Sequence, residues 1–84
     1  MIVVIGATGF VGSHLLCRFI KTGVKVKALY RNKEKINDTR KIFSYYSISE
    51  AESQMFVEWC EADILDYQSL IAALRGAQYV YNCS

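Results

Sequence analysis

The sequence predicts an α/β fold, the first part of a doubly wound parallel sheet with strand order 3-2-1-4. Three observations carry this. The apolar run Ile2-Val3-Val4-Ile5 has the continuous hydrophobicity of a strand buried on both faces, and it gives way at Gly6 to a glycine-punctuated turn and then to helical periodicity. Strand-like and helix-like stretches alternate from there on, the pattern that builds parallel sheets with right-handed crossovers. The composition, 52% hydrophobic with no proline over 84 residues, is that of one apolar globular unit rather than a disordered or fibrous chain.

The elements follow in order. Residues 2–5 form the first strand. From Phe10 the apolar positions Val11, Leu15, Leu16, Phe19 and Ile20 recur at helical spacing, Lys21 falls in the last turn, and Gly23 is a C-cap candidate. Residues 24–30 alternate and then turn apolar, which suits a second strand. The polar stretch 32–54, with an aromatic patch of Phe43, Tyr45 and Tyr46, reads as one or two short helices. A third strand is expected over 57–62, ending at Asp63. Asp66 can then cap a helix carrying Leu70, Ile71 and Leu74, closed by Arg75 and Gly76. Residues 78–83 read as a buried fourth strand. No helix follows it before Ser84, so the sheet is expected to be truncated, with an open hydrophobic edge that leaves the segment marginal by itself.

The chemistry of the chain concentrates in Gly6-Ala7-Thr8-Gly9-Phe10-Val11-Gly12, where a strand passes into a helix. A helix N-terminus carries backbone N–H groups without intrahelical partners and the positive end of the helix dipole, so it holds an anion without a cationic side chain. Each glycine has an expected role. Gly6 lets the chain turn out of the strand, Gly9 exposes bare backbone to a ligand, and Gly12 removes a side chain where the helix presses on the sheet. A bound pyrophosphate is the natural tenant; the alternative is a tight helix-on-sheet turn that binds nothing. A dinucleotide-binding domain needs two βαβ halves and typical domains run to about 100–150 residues. Residues 1–84 are therefore expected to be the N-terminal half of such a domain.

Other classes find little support. A net charge of +2 is too slight for a nucleic-acid binder. Residues 1–5 are too short for a spanning helix and lack the features of a secretory signal, so the expectation is a cytoplasmic protein without a membrane partner. Cys17, Cys60 and Cys83 are widely spaced, which fits reduced thiols and no metal site; Cys17 and Cys83 read as core. His14 has no second ligand at metal spacing and reads as a partly exposed helix residue. Trp59 is expected in or beside the sheet, and the Tyr45-Tyr46 pair on the surface rather than stacked on bases.

The string from Gly6 to Leu15 resembles the cofactor turn of the extended short-chain dehydrogenase/reductase superfamily, the NAD-dependent epimerase/dehydratase family. Asp63 and Ile64 match the acidic-aliphatic pair that lines the adenine pocket in that family, and residues 79–84 resemble its fourth strand, whose end passes under the ribose and nicotinamide. The resemblance implies an NAD(P)-binding Rossmann fold, with cofactor contacts at Gly6, Thr8, Gly9, Phe10, Val11, Gly12, Asp63, Ile64 and Asn82. The chain departs from the pattern at Ile5, where the family often has Thr, and at Asn82-Cys83-Ser84, where it often has His-Cys-Ala-Ala or Asn-Ala-Gly.

Cofactor choice turns on the end of the second strand, where an acidic residue favours NAD and a basic one tolerates the extra phosphate of NADP. Here stands Tyr30-Arg31-Asn32-Lys33. Arg31 offers a planar fork of donors, Lys33 or Lys35 can assist as point charges, and NADP is favoured over NAD unless these cations are only a solvated loop. The superfamily's catalytic Tyr-x-x-x-Lys is absent, since Tyr30, Tyr45, Tyr46, Tyr67 and Tyr79 are followed four places on by Glu34, Ser49, Glu50, Ile71 and Cys83. No residue here is assigned a catalytic role, and these residues alone are expected to be inactive. The favoured reading is the cofactor-binding segment of a longer reductase, epimerase or dehydratase, whose small-molecule substrate pocket lies elsewhere and which is compatible with a homodimer. The other is a non-catalytic dinucleotide-binding sensor or a vestigial truncated product.

Overall fold

A computed structural model describes residues 1–84. Its sheet is parallel throughout and is built from β1 (Ile2–Ile5), β2 (Val26–Tyr30), β3 (Val57–Glu61) and β4 (Tyr79–Asn82), in the order β3-β2-β1-β4. The expected order 3-2-1-4 is thus the observed one. The register sets Ile5 beside Leu29 on one side and Asn82 on the other, so the strands' C-terminal ends finish close together.

Helix α1 (Phe10–Lys21) follows β1, and α4 (Tyr67–Leu74) joins β3 to β4. The polar stretch that separates β2 from β3 resolves into a 3-10 turn over Lys33–Lys35, then α2 (Ile36–Tyr45) and α3 (Glu50–Phe56), the last running into β3 without a loop. Ser49 and Glu52 close a capping box at the start of α3. The Ser49 backbone N–H, helped by its hydroxyl, holds the Glu52 carboxyl below its ordinary value. Folded chain therefore binds that proton less tightly than unfolded chain, and the contribution of the cap is lost as pH falls through the carboxylate range.

Side chains alternate across the sheet and supply two cores. Val4, Val26 and Ala28 meet Leu16, Cys17 and Ile20 of α1 and Phe43 of α2 on one face, while Val3, Ile5 and Leu29 meet Ala73 of α4 on the other. Helices on both faces are what doubly wound means physically. Lys27, on the α4 face, spans the layers to donate to the Ala73 carbonyl at 3.1 Å, supplying a cation to a helix whose own last turn has none. Trp59 packs edge-on against Tyr30 beside the sheet.

Several expectations are adjusted. Val11 belongs to the periodic apolar set yet is 63% exposed, because the buried stripe of α1 runs through Gly12, Ser13, Leu16, Cys17 and Ile20, and Val11 lies off it. Ile71 likewise points outward on α4, where Ala73 is the buried residue. The second and third strands are each shorter than expected, at residues 26–30 and 57–61. β4 is exposed along its whole length rather than buried, since it pairs only with β1. Asp66 caps α4 as anticipated, accepting from the Ser69 N–H at 3.3 Å.

One polar link crosses the α1 side of the core. Ser13 Oγ donates to the Ala7 carbonyl at 3.1 Å and lies 2.8 Å from Thr39 Oγ1, and both side chains are fully buried. This fastens α2 to the first turn of α1. Thr39→Val, which keeps the shape and removes the hydroxyl, should lower stability by about 1–2 kcal/mol in urea titration; a change under about 0.3 kcal/mol would show the link to be energetically idle.

Candidate functional site

The turn from β1 into α1 is shaped by backbone, not by side chains. Gly6 sits at φ +73°, in the left-handed region that favours glycine. The Ala7 N–H donates across to the Leu29 carbonyl, the Gly9 N–H folds back to the Gly6 carbonyl, and the Ser13 N–H opens the helix on the Gly9 carbonyl. The amides of Thr8, Phe10, Val11 and Gly12 donate no hydrogen bond within the chain. No side chain caps α1, and its first turn carries no acid. The positive end of the α1 dipole is left uncompensated beside a group of free donors.

The glycines separate by what surrounds them. A Cβ on Gly6 would stand 2.7 Å from the Ser84 nitrogen, where the chain passes over the turn on leaving β4. One on Gly12 would run into the Gly6 carbonyl oxygen and reach 2.9 Å from Ala7 Cα, so Gly12 clears space for the turn itself rather than for the sheet. Gly9 is different. Its nearest neighbour would be the Gly6 oxygen at an ordinary 3.4 Å, and its φ of −76° suits any residue. Nothing in the protein requires a glycine there.

Beside the turn, at the C-terminal ends of β1, β2 and β3, lies a cleft of about 750 Å³. Among the residues singled out from the sequence, it brings together Gly6, Thr8, Arg31 and Ile64. Lys33 and Lys35 join Arg31 on its wall, and no Asp or Glu side chain lines it. Asp63 stands behind, its Oδ1 4.0 Å from Arg31 Nε. Gly9, Phe10, Val11 and Gly12 lie outside this cleft, with Phe10 and Val11 exposed on the first turn of α1. Asn82 turns its carboxamide to the chain end, where Oδ1 accepts from the Ser84 N–H at 3.1 Å and from the Ser84 hydroxyl at 2.6 Å. Ser84 rather than Asn82 reaches the cleft.

Sequence reasoning did not single out Tyr30, Asn32, Ala62 or Ser84, all of which line the cleft. Their common signal is position, since each lies at or just beyond the C-terminal end of a strand, where open α/β sheets bind ligands. Asn32 also caps the 3-10 turn, accepting from the Glu34 N–H at 3.0 Å and so setting where Lys33 and Lys35 stand. His14 lies elsewhere, half-buried between the rings of Phe10 and Tyr46 with Nδ1 unpartnered. Burial pushes the Cys17 thiol up, as befits a core thiol.

A parallel sheet of order 3-2-1-4 with helices on both faces meets its counterpart among known proteins. The family model described as the NAD dependent epimerase/dehydratase family matches residues 2–84. The chain belongs to that family. Among solved structures it is similar to vestitone reductase from alfalfa (Medicago sativa L.), with a TM-score of 0.67 and 22% identity over 96% of this chain, a likeness that shows the shared Rossmann-like fold. The chain spans about a quarter of that protein's length, 24%. Comparison with curated protein sequences gives no match. No helix is long and apolar enough to cross a membrane.

Proposed function

We propose that this segment holds the adenine and diphosphate part of a nicotinamide dinucleotide, NADP in preference to NAD, for a longer reductase, epimerase or dehydratase. The observation that carries the reading is Gly9, a glycine that the protein's own packing does not require, set among free amides. A ligand that must touch backbone supplies the missing reason. The residues present fit a diphosphate: the N–H groups of Thr8, Phe10, Val11 and Gly12 donate to its oxygens, and the α1 dipole favours its charge. Gly6 and Gly12 hold those amides in place by letting the turn close.

Ile64 and Ala62 offer apolar surface to an adenine ring, and Asn82 holds the chain end that forms the cleft's far rim. Arg31, Lys33 and Lys35 make the cleft wall cationic at the end of β2, the place where a 2′-phosphate distinguishes the two coenzymes. When bound, the nicotinamide supplies the hydride chemistry. This chain's own part is to bind and orient. Its tyrosines have no lysine four places on, so proton transfer and substrate contact fall to groups outside these residues.

Calorimetry of the intact protein with NADPH and NADH tests the proposal, and absence of heat with both would end it. Arg31→Asp should weaken NADPH by at least about tenfold, roughly 1.5 kcal/mol for one charge-assisted contact, while NADH is little affected or tightened. An unchanged ratio of the two affinities would make Arg31 a solvated surface residue.

A further inference from the structure

Resting on the reading that the cationic wall at the end of β2 meets a 2′-phosphate, we infer that Asn32 is a positioning residue that sorts the charges of the Lys33-Glu34-Lys35 turn, keeping both lysines on the cleft and the glutamate off it. A 3-10 turn has three residues per turn, so its side chains point about 120° apart and the three cannot share one wall. Here Lys33 and Lys35 line the cleft, whereas Glu34 lies in a neighbouring hollow beside Asn37 and Arg40. Asn32 stands between the two and lines both. Its Oδ1 accepts from the Glu34 N–H and its carbonyl from the Lys35 N–H, each at 3.0 Å. One residue thus holds the start of the turn, while buried Ile36 anchors its exit into α2.

These bonds fix the phase of the turn, and the phase decides which of its charges a phosphate meets. Lys33, Glu34 and Lys35 are all exposed, so their fields fade over a Debye length of about 8–10 Å. A carboxylate swung onto the wall would cancel a lysine there, whereas one turned into the hollow of Arg40 costs the site little. Without the Asn32 side chain the Glu34 N–H has no partner in the chain, and only the bond to the Lys35 N–H is left to hold the start of the turn. Glu34 is then free to turn toward the cleft.

The test is calorimetry of the intact protein with 2′,5′-ADP and 5′-AMP, two probes that differ by the phosphate in question. Asn32→Ala should weaken 2′,5′-ADP by about threefold and leave 5′-AMP unchanged. Asn32→Ser, which restores a capping oxygen but not the carboxamide, should bind both probes as wild type does. Glu34→Gln should change neither probe in the wild-type background, yet recover most of the lost 2′,5′-ADP affinity when made on top of Asn32→Ala. Asn32→Ala that weakens both probes equally, or neither, overturns the inference. So does a serine variant as weak as the alanine one, which would make the carboxamide itself a ligand group, and so does a Glu34→Gln effect of the same size in both backgrounds. Wild-type protein that binds neither probe, or binds the two alike, would instead refute the nucleotide reading on which it rests.

Discussion

Gly12→Ala should destabilise the protein by about 3 kcal/mol. The new Cβ would overlap the Gly6 carbonyl oxygen and lie 2.9 Å from Ala7 Cα, and both obstacles are backbone, which cannot rotate aside. Relief requires α1 to lift from the turn. That movement would strain two contacts at once: the Ser13 hydroxyl on the Ala7 carbonyl, and the Ala7 N–H on the Leu29 carbonyl, which ties the turn to β2. Overpacking alone costs about 1–3 kcal/mol, and disturbing a buried hydrogen bond adds about 1 kcal/mol or more. Alanine's better helix propensity recovers less than about 1 kcal/mol. Urea unfolding of the variant beside wild type measures the difference, and a loss below about 1 kcal/mol would mean that the first turn of α1 is softer than its packing indicates.

Much of this architecture is legible in the sequence because its signals are local and agree with one another. Ile2-Val3-Val4-Ile5 reads as a doubly buried strand, and β1 is central with helices on both faces. Asp66 reads as a helix cap and accepts a bond from the Ser69 N–H. The readings that needed adjustment depend on what lies across space. Periodicity makes Val11 and Ile71 apolar members of a face, but only the contact partners decide how wide the buried stripe is. Likewise, apolarity marks residues 79–82 as a strand without saying that β4 would have one neighbour.

At the site, the glycine turn is readable because backbone chemistry is written in glycine spacing. The cleft wall is less so. Tyr30, Ala62 and Ser84 meet there through register between strands far apart in sequence, and neither composition nor motif carries that register. Asp63 shows both sides of the problem. The resemblance of its motif assigns it to the adenine, whereas its nearest cationic partner is Arg31, a residue on the preceding crossover. Only three-dimensional placement joins them.

Gly9→Val separates binding from folding, and the contrast with Gly12 is what gives it force. Gly9 has φ −76° and ψ 174°, extended backbone that a β-branched residue adopts readily, and only the Gly6 oxygen at 3.4 Å lies near a new Cβ. The variant should fold, with a loss of at most about 1 kcal/mol from replacing a favourable N-cap residue. Its isopropyl group, however, would stand in the space beside the free amides of Thr8, Phe10 and Val11. An anion pushed back from them loses at least two charge-assisted hydrogen bonds, about 3 kcal/mol, so dinucleotide affinity should fall by about a hundredfold or more. Chemical denaturation and coenzyme calorimetry on the same preparation read the two quantities side by side. Near-wild-type stability with unchanged affinity would leave the glycine at position 9 without a purpose and remove the diphosphate from the start of α1. Loss of both together would instead make Gly9 a packing residue like Gly12, which its open surroundings argue against.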